Sequence, residues 1–169
     1  MGPGHCFLRT KLRVTGTLAA LIFTDMPASC FVVLVVEDDP DHAALIQAAF
    51  AYRGFPCLVH VTGSSEEAMD YLLGRWPFDD RIRNPYPDVV ILDVGLPGMD
   101  GLGFLRWLET RPEPWAMTPV VVFTSNTDRG VAVQAFALGA RDVKVKPNDF
   151  TELVDIVDGV LRRWKPNIA

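Results

Sequence analysis

Phe31-Val-Val-Leu-Val-Val-Glu-Asp-Asp-Pro40 is the stretch on which the reading of this chain turns. Its first six residues are a short, unbroken apolar run dominated by β-branched side chains. That is the pattern of a strand buried on both faces, whereas a half-exposed strand alternates apolar with polar. The run stops abruptly at three acids. Asp39 has the chemistry of a helix N-cap, and Pro40, with its fixed φ, suits the first helical position. Ala43–Arg53 then carries Leu45, Ile46, Ala49 and Phe50 at helical spacing and ends at Gly54.

The same alternation continues downstream. Cys57–Val61 reads as a second strand, and Ser64–Leu73 as a helix whose Ser64 and Glu67 form a capping box. Trp76–Pro87, with three prolines and mixed charge, reads as a long loop. Asp88–Asp93 is the third strand, and Leu102–Glu109 a helix after the Pro97-Gly98…Gly101 turn. Pro119–Thr124 is the fourth strand and Asp128–Leu138 the fourth helix, closed by Gly139. Asp142–Val145 is a short fifth strand, and Asp149–Trp164 the last helix. Five strands, each followed by a helix, predict an α/β fold: an open, doubly wound parallel sheet covered on both faces by right-handed crossovers. In such sheets the ligand site lies just beyond the carboxyl ends of the strands.

The 169 residues are enough for about one domain. A net charge of −5 argues against direct nucleic-acid binding, which usually needs a basic patch. Residues 1–30 hold three bases and one acid, so residues 31–169 hold thirteen bases and twenty acids, or −7. Cys6, Cys30 and Cys57 are odd in number and far apart, which suits neither a disulfide framework nor a zinc site and points to a cytoplasmic setting. Val14–Thr24 is the longest apolar run. At eleven residues it is too short to span a membrane, although Arg9, Lys11 and Arg13 before it give it the flavour of a signal peptide. Residues 1–30 are read as an extension, with Met26 as the expected native start.

At the strand ends stand Glu37, Asp38 and Asp39, then Asp93, then Thr124-Ser125, then Lys146-Pro147. Singly, each has an ordinary explanation as a turn, cap or solvated residue. Together, with Asp39 set aside as a cap, they would bring three acids (Glu37, Asp38 and Asp93), a hydroxyl and a lysine to one rim. Phosphoryl transfer to a carboxylate calls for this set. Clustered carboxylates make a site for Mg²⁺, a hard cation that takes oxygen ligands. A carboxylate such as Asp93 can act as nucleophile and form an aspartyl phosphate. Lys146 would neutralise charge developing on the transferred group, and Thr124 could donate to one of its oxygens.

In these residues the chain resembles the receiver domains of two-component response regulators. The matching pieces are VVEDDP (35–40), VVILDVGLPGMDG (89–101), VVVFTSN (120–126), ALGARD (137–142) and VKVKP (143–147), in the family's order and spacing. The resemblance runs from Phe31 to near Trp164. It implies a flavodoxin-like (βα)5 receiver fold over residues 31–165, with 166–169 as a tail. It further implies Asp93 as phosphoacceptor, with Glu37, Asp38, Asp93 and the Gly95 backbone carbonyl around Mg²⁺. Thr124 would be the switch hydroxyl, and Lys146 the phosphoryl-binding lysine, followed by Pro147 through a frequently cis bond. The implied partner is a sensor histidine kinase or a histidine phosphotransfer protein. The long 76–87 loop and the Trp-ended last helix are similar to regulators that serve phytochrome-type kinases. A homodimer through the fourth–fifth helix face, and no membrane contact, complete the expectation.

Two positions depart from the family pattern. Val143 stands where an aromatic switch residue is usual, and Gly95 lacks the side chain that often manages the hydrolytic water. Only 23 residues follow Lys146, which leads to the expectation of a single-domain phosphoacceptor signalling by protein contact or phosphorelay rather than an enzyme acting on other substrates. Three rivals are weaker. A haloacid-dehalogenase-like phosphatase wants an acid where Gly95 stands. A flavodoxin-type cofactor binder would not place Glu37-Asp38-Asp39 against a phosphate. A degenerate receiver usually loses the Asp or the Lys, and Asp93 and Lys146 are both present.

Overall fold

The computed structural model describes residues 30–126 and 128–164, so the extension and the C-terminal tail expected at the two ends lie outside the described residues. The chain runs β1 (Phe31–Val36), α1 (Pro40–Tyr52), β2 (Cys57–Thr62), α2 (Ser65–Leu73), β3 (Val89–Asp93), α3 (Gly101–Glu109), β4 (Val120–Thr124), α4 (Arg129–Ala137), β5 (Asp142–Val145) and α5 (Phe150–Trp164). All strands are parallel, in the order β2-β1-β3-β4-β5. The expected doubly wound (βα)5 sheet is therefore present. Its order reverses between β1 and β3, which puts the switch-point crevice at the ends of those two strands.

Why β1, β3 and β4 are apolar up to their carboxyl ends is visible in the packing. Val33, Val35, Val89, Ile91, Val121 and Phe123 face α1 and α5, where they meet Ile46, Phe50, Leu153 and Val157. The alternate residues Leu34, Val36, Val90, Leu92 and Val122 face Tyr71 and Leu72 of α2, Phe104 and Leu105 of α3, and Ala135 of α4. A strand with both faces covered has no place for a polar alternation.

Caps set the helix starts. Asp39 Oδ1 accepts from the backbone N–H of Asp41 (2.8 Å) and His42 (3.3 Å), so α1 begins at Pro40, a turn before its apolar periodicity. Ser64 Oγ accepts from Glu67 N (3.1 Å), and Glu67 reaches back to Gly63 N (2.7 Å) rather than to the cap itself. Asp100, Asp128 and Asp149 close the starts of α3, α4 and α5 in the same manner.

Two segments carry detail beyond the sequence reading, and the 76–87 stretch is a loop as expected. Pro114–Met117 forms a 3-10 turn that places Trp115 in the core. The 76–87 loop is strapped to α2: Tyr71 Oη donates to Pro85 O (2.6 Å), Arg81 donates to Leu72 O (2.8 Å) and Asn84 O (3.1 Å), and its guanidinium lies 4.2 Å from the Tyr86 ring. Lys146–Pro147 is not among the cis peptides; among the described residues the cis bond is Trp76–Pro77.

Candidate functional site

Register brings the acids together. Val36 of β1 pairs with Leu92 of β3, so the next residue of each, Glu37 and Asp93, lies side by side at the carboxyl edge. Asp93 in turn pairs with Phe123 of β4, placing Thr124 one residue beyond, and Thr124 pairs with Val145, placing Lys146 one beyond that. The Lys146 N–H donates to Thr124 O (2.8 Å), which fixes the start of the Lys146 loop to the end of β4.

Lys146 Nζ is the hub. It lies 3.0 and 2.8 Å from the two Glu37 carboxylate oxygens and 2.7 Å from Asp93 Oδ2. Both acids are enclosed, Glu37 at 3% exposure and Asp93 at 7%. The other Asp93 oxygen, Oδ1, accepts from Gly95 N (2.9 Å), so each end of that carboxylate has a donor. Asp38 is exposed, and an oxygen of Glu37, of Asp38 and of Asp93 all lie within 4.8 Å of one another. Three oxygen donors so close could hold a hard divalent cation. No neutral or sulfur donor belongs to that trio.

The electrostatics match. Burial, foremost, pushes the Glu37 carboxyl above its ordinary range; the Asp93 charge adds to this and the Lys146 ammonium works against it. Burial alone would pull the Lys146 ammonium down, but its hydrogen bonds and charge pairing with Asp93 and Glu37 together raise it. The cluster carries more acid than one lysine balances, and a bound cation would make up the difference.

Thr124 is buried, and its Oγ1 accepts from Asn126 N (3.0 Å). Asn126 Oδ1 accepts from Asp128 N (2.8 Å), and Asp128 Oδ1 caps α4 at Gly130 (2.8 Å). A ladder of side-chain-to-backbone bonds thus runs from the Thr124 hydroxyl to the start of α4. Val143, beside Val122 in register, packs partly buried on the α2–α4 face of the sheet.

Two contributors went unread in the sequence. A Cβ on Gly101 would fall 2.3 Å from the Asp93 carbonyl oxygen and 2.8 Å from Val94 Cα, so α3 can approach the end of β3 only with glycine there. His42, on the first turn of α1, puts Nδ1 3.4 Å from Lys146 Nζ. Its signal was its place three residues after the Asp39 cap, on the α1 turn that overhangs the acids.

A family model described as the response regulator receiver domain matches residues 33–158. The chain is 31% identical over 134 residues to the DNA-binding transcriptional regulator NtrC of Escherichia coli K12, covering 79% of this chain and 25% of that protein, so it spans about a quarter of that relative's length. Among solved structures it is similar to the phosphorylated cyanobacterial phytochrome response regulator RcpA, with TM-score 0.73, 27% identity, and coverage of 83% and 97% of the two chains. It is also similar to RPA3017, a response regulator in red light signalling of R. palustris, with TM-score 0.75, 27% identity, and coverage of 82% and 96%. No helix among the described residues is long and apolar enough to cross a membrane.

Proposed function

The chain belongs to the response regulator receiver family, and from that premise we propose that it accepts a phosphoryl group on the Asp93 carboxylate from a sensor histidine kinase. The observation that carries this reading is the hub at Lys146, which joins Glu37 and Asp93 at the sheet's switch point.

In the proposed reaction an Asp93 carboxylate oxygen attacks the phosphorus of a phosphohistidine. The P–N bond breaks, the imidazole leaves with the electron pair and takes a proton from water, and an acyl phosphate remains. Most of the catalysis in such a transfer is positioning and charge neutralisation. Glu37, Asp38, Asp93 and the Gly95 carbonyl would hold Mg²⁺, which when bound neutralises charge on the phosphoryl oxygens. Lys146 moves from the carboxylate to a phosphoryl oxygen. Thr124 turns its hydroxyl from acceptor of Asn126 N–H to donor toward the phosphoryl group, which disturbs the ladder into α4. The modified state thereby shifts the population of α4 conformers, and partners read that face.

The kinship in structure with phytochrome-linked regulators supports a phytochrome-type kinase as donor, with a histidine phosphotransfer protein as the alternative. Exposed Val133 and Phe136 on α4 and Val145 on β5 support a symmetric pair through the α4–α5 face. Output by protein contact or phosphorelay in the cytoplasm completes the proposal. Incubation with acetyl phosphate and Mg²⁺, followed by intact mass measurement, should give one phosphoryl adduct that vanishes in Asp93→Ala. An undiminished adduct in that variant would overturn the proposal.

A further inference from the structure

We propose that His42 is a positioning residue for Lys146, its Nδ1 serving as the acceptor that holds the ammonium at the mouth of the site. The inference rests on the reading of Lys146 as the phosphoryl-binding group, but its geometry stands in the protein as it is.

Lysine has three N–H donors and no acceptor. Any hydrogen bond between Nζ and an imidazole nitrogen therefore has the nitrogen accepting. His42 Nδ1 lies 3.4 Å from Nζ, at the long end of hydrogen-bond reach. As a hydrogen bond, that contact requires one tautomer: the proton on Nε2, with the lone pair on Nδ1 facing the lysine. The His42 backbone is anchored at the start of α1, where Asp39 Oδ1 receives its N–H (3.3 Å). Two other charged groups face Nδ1, Glu37 Oε1 and Asp39 Oδ2, each at 3.8 Å. Both carboxylates lie farther from Nδ1 than Nζ does and would accept from a proton on Nδ1, so the site of the ring proton decides between the lysine and the acids.

The consequence concerns which acceptors Lys146 retains. Its two carboxylate partners, Glu37 and Asp93, are also the proposed donors to the cation. Oxygens committed to a cation are poorer acceptors for an ammonium. His42 lies outside that donor trio. Among the described residues it is the neutral acceptor left to Nζ when the carboxylates turn to the cation, and it keeps the ammonium between α1 and β3, where the incoming phosphoryl oxygen needs it. The side chain is 46% exposed, so it does this without being locked into the core. Together with Leu45, Ile46, Pro147 and Leu153, it walls the hollow through which the Lys146 side chain passes.

Two measurements test this. Long-range ¹H–¹⁵N spectra of the metal-free, unphosphorylated protein should show His42 protonated at Nε2 and bare at Nδ1, with the Nδ1 resonance displaced in Lys146→Met. A proton on Nδ1, or an Nδ1 resonance indifferent to Lys146→Met, overturns the proposal whether or not the protein is a phosphoacceptor. Labelling by acetyl phosphate should slow about five-fold in His42→Leu, the loss of one ordinary hydrogen bond. His42→Gln, which offers a neutral amide oxygen, should recover most of the rate. Equal rates in wild type and His42→Leu overturn the proposal, whereas loss of labelling in Asp93→Ala alone speaks only to the phosphoacceptor reading.

Discussion

Replacing Gly101 by alanine tests how the sheet edge holds Asp93. The added Cβ would stand 2.3 Å from the Asp93 carbonyl oxygen, 2.8 Å from Val94 Cα and 3.1 Å from the Asp93 carbonyl carbon. All three are backbone atoms, so no side chain can rotate away. An ordinary carbon–oxygen contact is about 3.3 Å or more, and α3 or the end of β3 must retreat by about 1 Å. Such overpacking costs about 1–3 kcal/mol. The Gly101 N–H to Val94 O bond (3.1 Å) would be lost with it, worth about 1 kcal/mol more. Alanine returns up to about 1 kcal/mol in helix propensity. The net loss is about 1–3 kcal/mol, which for a domain of this size lowers Tm by about 4–11 °C. Because the displaced atoms belong to Asp93, labelling by acetyl phosphate should fall as well. Gly159 supplies the contrast, since it is helical and a Cβ there meets nothing within 4 Å. Gly159→Ala should raise Tm by about 3 °C and leave labelling intact. Calorimetry with intact mass measurement reads both effects. A Gly101→Ala protein with wild-type Tm and wild-type labelling would refute the close-approach reasoning.

A divalent cation at about ten times its Kd should stabilise the fold by about 1.4 kcal/mol, or about 5 °C, and Asp38→Ala should abolish the gain; a melt indifferent to Mg²⁺ would count against the Glu37/Asp38/Asp93 site. In metal-free protein the raised Glu37 carboxyl sets a sign: its contribution is fully present below the ordinary value of 4.5 and is lost as pH rises through the raised folded value. Urea midpoints should therefore decline as pH rises from 4.5 through that raised value, and Glu37→Gln should flatten the decline. Asn126→Ala removes the middle rung between Thr124 and the α4 cap, so amide exchange at Arg129–Val131 should accelerate several-fold, the cost of about 1 kcal/mol, while the strands stay protected.

What the sequence made legible was whatever local chemistry dictates. β1 and the first four residues of β3 are apolar because both faces are covered, and Asp39, Ser64 and Asp128 announce the helices that follow them. The acids and Lys146 were legible for a related reason: each ends a strand, and in a parallel sheet strand ends share an edge. What stayed hidden depends on approach across the fold. Gly101 looks like one more turn glycine until the Asp93 carbonyl is seen against it. Arg81 is one charge among several in a proline-rich loop, and only the folded chain shows it donating to the Leu72 carbonyl of α2 and lying over the face of Tyr86. His42 and Lys146 are 104 residues apart, and neither a helix period nor a motif announces that they meet. Glu67 bypasses its cap and takes Gly63 instead, a shift of one residue that the capping pattern does not encode.

The claim at the centre of this account is that Asp93 is the phosphoacceptor of a cation-dependent site. Borohydride reduces an aspartyl phosphate to homoserine, and peptide mapping then locates the modified residue. After treatment with acetyl phosphate and Mg²⁺, homoserine should be found at position 93, and it should disappear when the cation is chelated. Homoserine at position 38, phosphate retained on His42, or labelling at Asp93 that persists unchanged without a divalent cation would contradict it.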